Sequence, residues 1–147
     1  MHRPLLRTLC DVDDDAAVDA LKRRVMTDLI WRDSVELWEV PELAAQHVRQ
    51  REPPAKPGDV RLADRALREL HGDGLIFLER ASPFGRVLDS DQALTRGEVE
   101  RRLDSGKQVH FETQTLPDEE VDTNLSEWLS TSRDRTASWV FVRPSRR

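Results

Sequence analysis

The chain is poor in the residues that most often announce chemistry. Its 147 residues include one cysteine, Cys10, and no tyrosine. A single thiol excludes an intramolecular disulfide and a zinc cage built from several cysteines. No apolar run approaches membrane-spanning length, so no membrane partner is expected. The opening stretch MHRPLLRTLCDVDDD lacks the long apolar core and small-residue cleavage site of a secretory signal. The expected location is therefore the cytoplasm. A phosphate-binding glycine loop, an HExxH pair and a serine elbow are all missing. The expectation is a protein that is not an enzyme, with no cofactor and no metal.

What is present is charge in quantity. Charged residues make up 35% of the chain against 37% hydrophobic, with a net charge of -5. The apolar residues fall into periodic segments, so residues 1–147 are read as one folded domain with a heavily charged surface. Net negative charge opposes general attraction to a polyanion, although a local basic patch can override the total.

The most informative stretch is Val60 to Arg80, VRLADRALRELHGDGLIFLER. At roughly 100° per residue, Leu62, Ala63, Ala66, Leu67 and Leu70 fall on one side of a helix. Arg61, Arg65 and Arg68 line up on the other. Asp59 stands where an N-cap belongs. Gly72 and Gly74 sit where the chain must leave the helix with positive φ. Leu75 to Leu78 then form an apolar run of strand length. His71 and Asp73 lie beside these glycines, but the helix-to-strand turn accounts for the glycines and no nucleophile accompanies them.

Upstream, residues 1–12 are expected to be a flexible arm. The acids Asp11 and Asp13 to Asp15 precede a helix over Ala16 to Arg32, whose inward stripe is Val18, Leu21, Val25 and Leu29. A short strand is expected around Val35 and Leu37. Pro41 suits the first turn of a second helix, which carries Leu43, Ala44, His47 and Val48. His47 is expected to be partly buried. Glu52 to Gly58, with three prolines, is expected to be loop.

Downstream, ASPFGRVLDSDQA after Arg80 reads as an irregular excursion. Thr95 and Glu98 match a capping box for a short helix with Val99 and Leu103 inward, stopped by Ser105-Gly106. Val109 to Thr113 reads as a strand and Leu116 to Val121 as an acidic loop. A brief helix capped by Thr123 or Asn124 would carry Leu125, Trp128 and Leu129. The segment Ala137 to Val142 is the natural antiparallel partner of Leu75 to Leu78. Residues 143–147 are expected to be a frayed basic tail.

Three helices, with the third running into a strand that pairs with a later one, resemble the winged-helix fold. More narrowly, LWEVPEL, RALRELHGDGLIFLER and the late return strand resemble small, uncharacterised actinobacterial winged-helix-like proteins. The resemblance covers about Ala16 to Arg80 and the final strand. It implies an α+β fold: a three-helix core, a small antiparallel sheet, and an enlarged, partly structured wing insertion over residues 81–135. A standard wing is a short hairpin loop, so this one departs from the pattern.

Two functions follow as expectations. By the resemblance, the third helix would enter duplex DNA, with Arg61, Arg65 and Arg68 as contacts and Lys56 leading in. The chain would then be a transcription-regulator-like binding protein. Against this, Asp64 stands four residues before Arg68 and Glu69 four after Arg65, so each acid can pair within the helix. The alternative is an acidic protein-interaction module of adaptor, inhibitor or immunity type, with Trp31 and Trp128 as the candidate surface anchors.

Overall fold

The computed structural model describes the backbone of residues 3–85, 94–131 and 139–145, and side chains within 14–83, 94–131 and 139–145. Among these residues, five α-helices accompany one four-stranded antiparallel sheet. The helices are α1 (Arg3–Arg32), α2 (Glu39–Leu43), α3 (Pro57–Gly72), α4 (Arg96–Asp104) and α5 (Asp118–Ser130). The strands are β1 (Val35–Glu36), β2 (Ile76–Gly85), β3 (Val109–Thr115) and β4 (Trp139–Pro144). Their order across the sheet is β1-β4-β2-β3. The last strand thus lies between the first two, and the expected pairing of β4 with β2 is present, with Leu78 opposite Val142.

The core follows the periodic residues. Val18, Leu21, Val25 and Leu29 of α1 are all buried, as are Leu62, Ala63, Ala66, Leu67 and Leu70 of α3. They meet Val35, Ile76, Leu78 and Val142 from the inner face of the sheet, and Val121, Leu125 and Leu129 from α5.

Several boundaries differ from the sequence reading, each for a local reason. The arm expected over residues 1–12 is helical from Arg3, so Asp11 to Asp15 lie inside α1 rather than ahead of it. α3 begins at Pro57, so Lys56 is its N-cap residue and Asp59 is the third helical residue. Asp59 accepts from the Lys56 backbone N–H at 2.8 Å, reaching back instead of forward. The loop before α3 accordingly ends one residue before Pro57, whose missing N–H costs nothing at a helix start. β2 continues to Gly85, beyond the expected stop at Arg80. α5 starts at Asp118, where Asp118, Glu119 and Glu120 face the positive end of the helix. The acidic loop expected there is therefore a first helical turn.

Side-chain placements differ too. His47 is exposed within a π-helical turn at Ala44–Val48, and Leu103 is 54% exposed instead of inward. The tail residue Arg143 belongs to β4 and pairs with Asp33 and Glu79, while residues 146 and 147 lie outside the described residues. The excursion and wing residues 86–93 and 132–138 also lie outside them.

Candidate functional site

α3 lies between two helices, and this decides what its arginines can do. Its N-terminal half borders α1 across a cleft of about 220 Å³ whose lining includes Asp14, Arg49, Gly58, Arg61 and Arg65. Its C-terminal half borders α5. Gly74, at φ 72°, closes the helix: the Leu75 N–H donates to the Leu70 carbonyl at 3.0 Å, and the chain turns into β2.

The three arginines end up in three different situations. Arg61 is exposed and makes no ion pair among the described residues. Arg65 donates to Asp15 of α1 and, at 3.2 Å, to Glu69. Its guanidinium is held above its ordinary pKa first by the hydrogen bond to Asp15 and then by the charges of Asp15 and Glu69. Arg68 is committed to α5. Its Nε reaches both oxygens of Asp64 at 3.1 Å, Nη1 reaches the Asp122 carbonyl at 3.1 Å, and Nη2 reaches the Ser126 hydroxyl at 3.3 Å. Ser126 in turn donates to Asp64 at 2.8 Å. The within-helix pairing anticipated for Asp64 and Glu69 is present, and further partners come from α1 and α5.

Lys56 is exposed at the start of α3. Around this face Arg49 pairs with Asp14 at 3.3 Å and Lys22 with Glu69 at 3.2 Å. The basic residues of the face (Lys22, Arg49, Lys56, Arg61, Arg65 and Arg68) are interleaved with Asp14, Asp15, Asp64, Glu69 and Asp122. Such a face has little net positive potential with which to gather a polyanion.

The tryptophan candidates separate as sharply. Trp31 is 83% exposed near the end of α1, beside Ile30 at 79%. Both lie off the stripe formed by Val18, Leu21, Val25 and Leu29. Trp128 is half-buried against the core, with the Arg80 guanidinium 5.5 Å from its ring centroid. Arg80 also pairs with Glu120 at 3.2 Å, so Trp128 serves to dock α5 on β2.

Three features escaped the sequence reading. Arg96 is only 6% exposed, pairs with Glu36 at 3.0 Å and lies 4.3 Å over the ring of Trp139. Asp59 is 1% exposed and pairs with Arg51 at 2.7 Å. Ile30 joins Trp31. Ile30 had a signal, since a helical wheel of α1 puts it outside the inward stripe, and Asp59 was marked as a helix-start residue but not as a buried, paired one. Glu36 and Trp139 both lie far from Arg96 in sequence, so no local pattern announces these two contacts.

The His71 ring, beside the glycine turn, pairs with Asp118 of α5 at 3.2 Å. Among the described residues no group of three or more His, Cys, Asp and Glu side chains is placed to hold a metal, and no helix is long and apolar enough to cross a membrane. Comparison with family models, curated proteins and solved structures returned no match.

Proposed function

We propose that the chain is a non-enzymatic, winged-helix-like module that binds a protein rather than duplex DNA. The order of elements supports the fold assignment. Helix, strand, two helices and a strand precede a return strand that inserts between the first two, while α4, β3 and α5 occupy the wing position. The observation that carries the function is the exposed pair Ile30 and Trp31, because tryptophan is enriched among the residues that dominate protein interfaces and here stands open beside a second large apolar side chain. The partner is a protein offering an apolar pocket for the indole with a rim of both charges. Arg32 with Glu39 and Arg143 with Asp33 frame the pair on this side.

The DNA expectation loses support at α3, where Arg68 is tied to α5 and Arg65 to Asp15 and Glu69. A shift assay with mixed-sequence duplex at about 50 mM salt separates the readings, since phosphate contacts act most strongly there. No retained complex is expected. A complex that weakens steeply with salt and is lost in Arg61→Glu would overturn the protein reading. Co-purification from the native source is expected to retain a specific protein that Trp31→Asp releases and Arg61→Glu keeps.

A further inference from the structure

The sheet ends unequally. Its β1 edge is only two residues long, whereas its β3 edge runs for seven, Val109–Thr115. Natural edge strands are usually blunted by charged side chains, above all lysine, by proline, by a bulge or by a covering segment. β3 contains neither proline nor lysine; Glu112 is its one acidic residue, and Glu112 to Thr115 are all exposed.

The hydrogen-bond phase tells which backbone groups are free. The Leu116 N–H donates to the Leu78 carbonyl, and the Pro83 carbonyl turns away from β3 to accept from Leu94. With Pro83 opposite Phe111 and Ser82 opposite Glu112, the even-numbered residues of β3 bond to β2. The N–H and C=O groups of Val109, Phe111, Thr113 and Thr115 therefore point away from the sheet. They have no hydrogen-bond partner among the described residues.

The geometry points to β3 as a self-pairing edge: two copies of this chain join antiparallel through it, with the two-fold axis beside Phe111. Three observations choose a second copy and this register. First, Phe111 would meet Phe111 of the second copy. That extends the aromatic row formed by Phe111 and Trp139, 5.6 Å apart, and Phe141, 6.1 Å from Trp139. Second, His110 would face Glu112 of the other copy, twice by symmetry. These are non-hydrogen-bonded positions, where opposed side chains are closest. Third, moving the axis to Glu112 would set the two Glu112 carboxylates against each other, which the charge pattern disfavours. The inference stands apart from the partner reading above, since Ile30 and Trp31 belong to α1.

The test is sedimentation of the purified full chain by analytical ultracentrifugation between about 1 and 500 μM, a span that covers the affinity of a modest interface. A concentration-dependent dimer is expected. Thr113→Pro removes an outward N–H and leaves the β2 ladder intact, so it should weaken the dimer by roughly tenfold or more without loss of fold by circular dichroism. Glu112→Lys removes the carboxylate acceptor that faces His110 and should also weaken it, and His110→Glu combined with Glu112→Lys should restore it by setting a carboxylate opposite an ammonium. A monomer throughout the range, or a dimer indifferent to Thr113→Pro, overturns the assignment. So does a dimer lost in Trp31→Asp but kept in Thr113→Pro, which would place the contact on α1.

Discussion

The two faces of the sheet are built on opposite plans. On the inner face, Val35, Ile76, Leu78 and Val142 are aliphatic and buried against α1 and α3. On the outer face, Phe111, Trp139 and Phe141 form an aromatic row over Ala81, and Arg96 from α4 lies across Trp139. The inner face is stabilised by removal of apolar area from water. The outer face combines apolar area with a cation stacked on an indole and paired with Glu36. The difference is what α4 brings: a helix that carries Val99 and little other buried apolar surface must fix itself partly through Arg96.

Breaking each face in turn should expose the contrast. Leu78→Ala removes a side chain with 0% exposure from the inner face and should cost about 2–5 kcal/mol in urea unfolding. An unchanged midpoint would mean that the inner face is not the core. Arg96→Met leaves Glu36 unpaired and loses the stacking on Trp139, for an expected loss of about 2 kcal/mol. Adding Glu36→Leu should recover much of that, because a buried ion pair can be exchanged for apolar residues at small net cost. If the double variant is no better than the single one, the ion pair is not what Arg96 loses. The smallest effect belongs to half-buried Phe141→Leu, at about 1 kcal/mol, since one neighbour of the aromatic row is lost without opening the inner core.

The same contrast explains what could be read in advance. Val18, Leu21, Val25 and Leu29, and Leu62 to Leu70, declare their burial through spacing alone, because a helix repeats its faces at a fixed angle. The β2–β4 pairing followed from two short apolar runs and a glycine turn. The burial of Arg96 could not be read because its charge argues for the surface, whereas Glu36 and Trp139, brought together by β1 and β4, help to make that burial tolerable. Asp59 was assigned to the right helix end but the wrong capping position, since Pro57 and Lys56 compete for the same boundary.

The candidate site was legible in its residue types but not in their fates. Sequence placed Arg61, Arg65 and Arg68 on one outward stripe and offered Asp64 and Glu69 as neighbours. It could not supply Asp15 or Asp122, which arrive from α1 and α5 and divide the stripe into one open arginine and two engaged ones. It named Trp31 and Trp128 together, yet Arg80 claims the second.

By itself, then, the order of the residues determined the inward stripes of α1 and α3 and the turn at Gly74, because those depend on contacts within a few residues and on local φ. The sheet order, the partners that Arg65 and Arg68 find on α1 and α5, and the outward turn of the odd-numbered backbone groups of β3 were decided only by the tertiary structure. They depend on which distant carboxylate, ring or strand the packed helices bring alongside, and no periodicity in the chain encodes that.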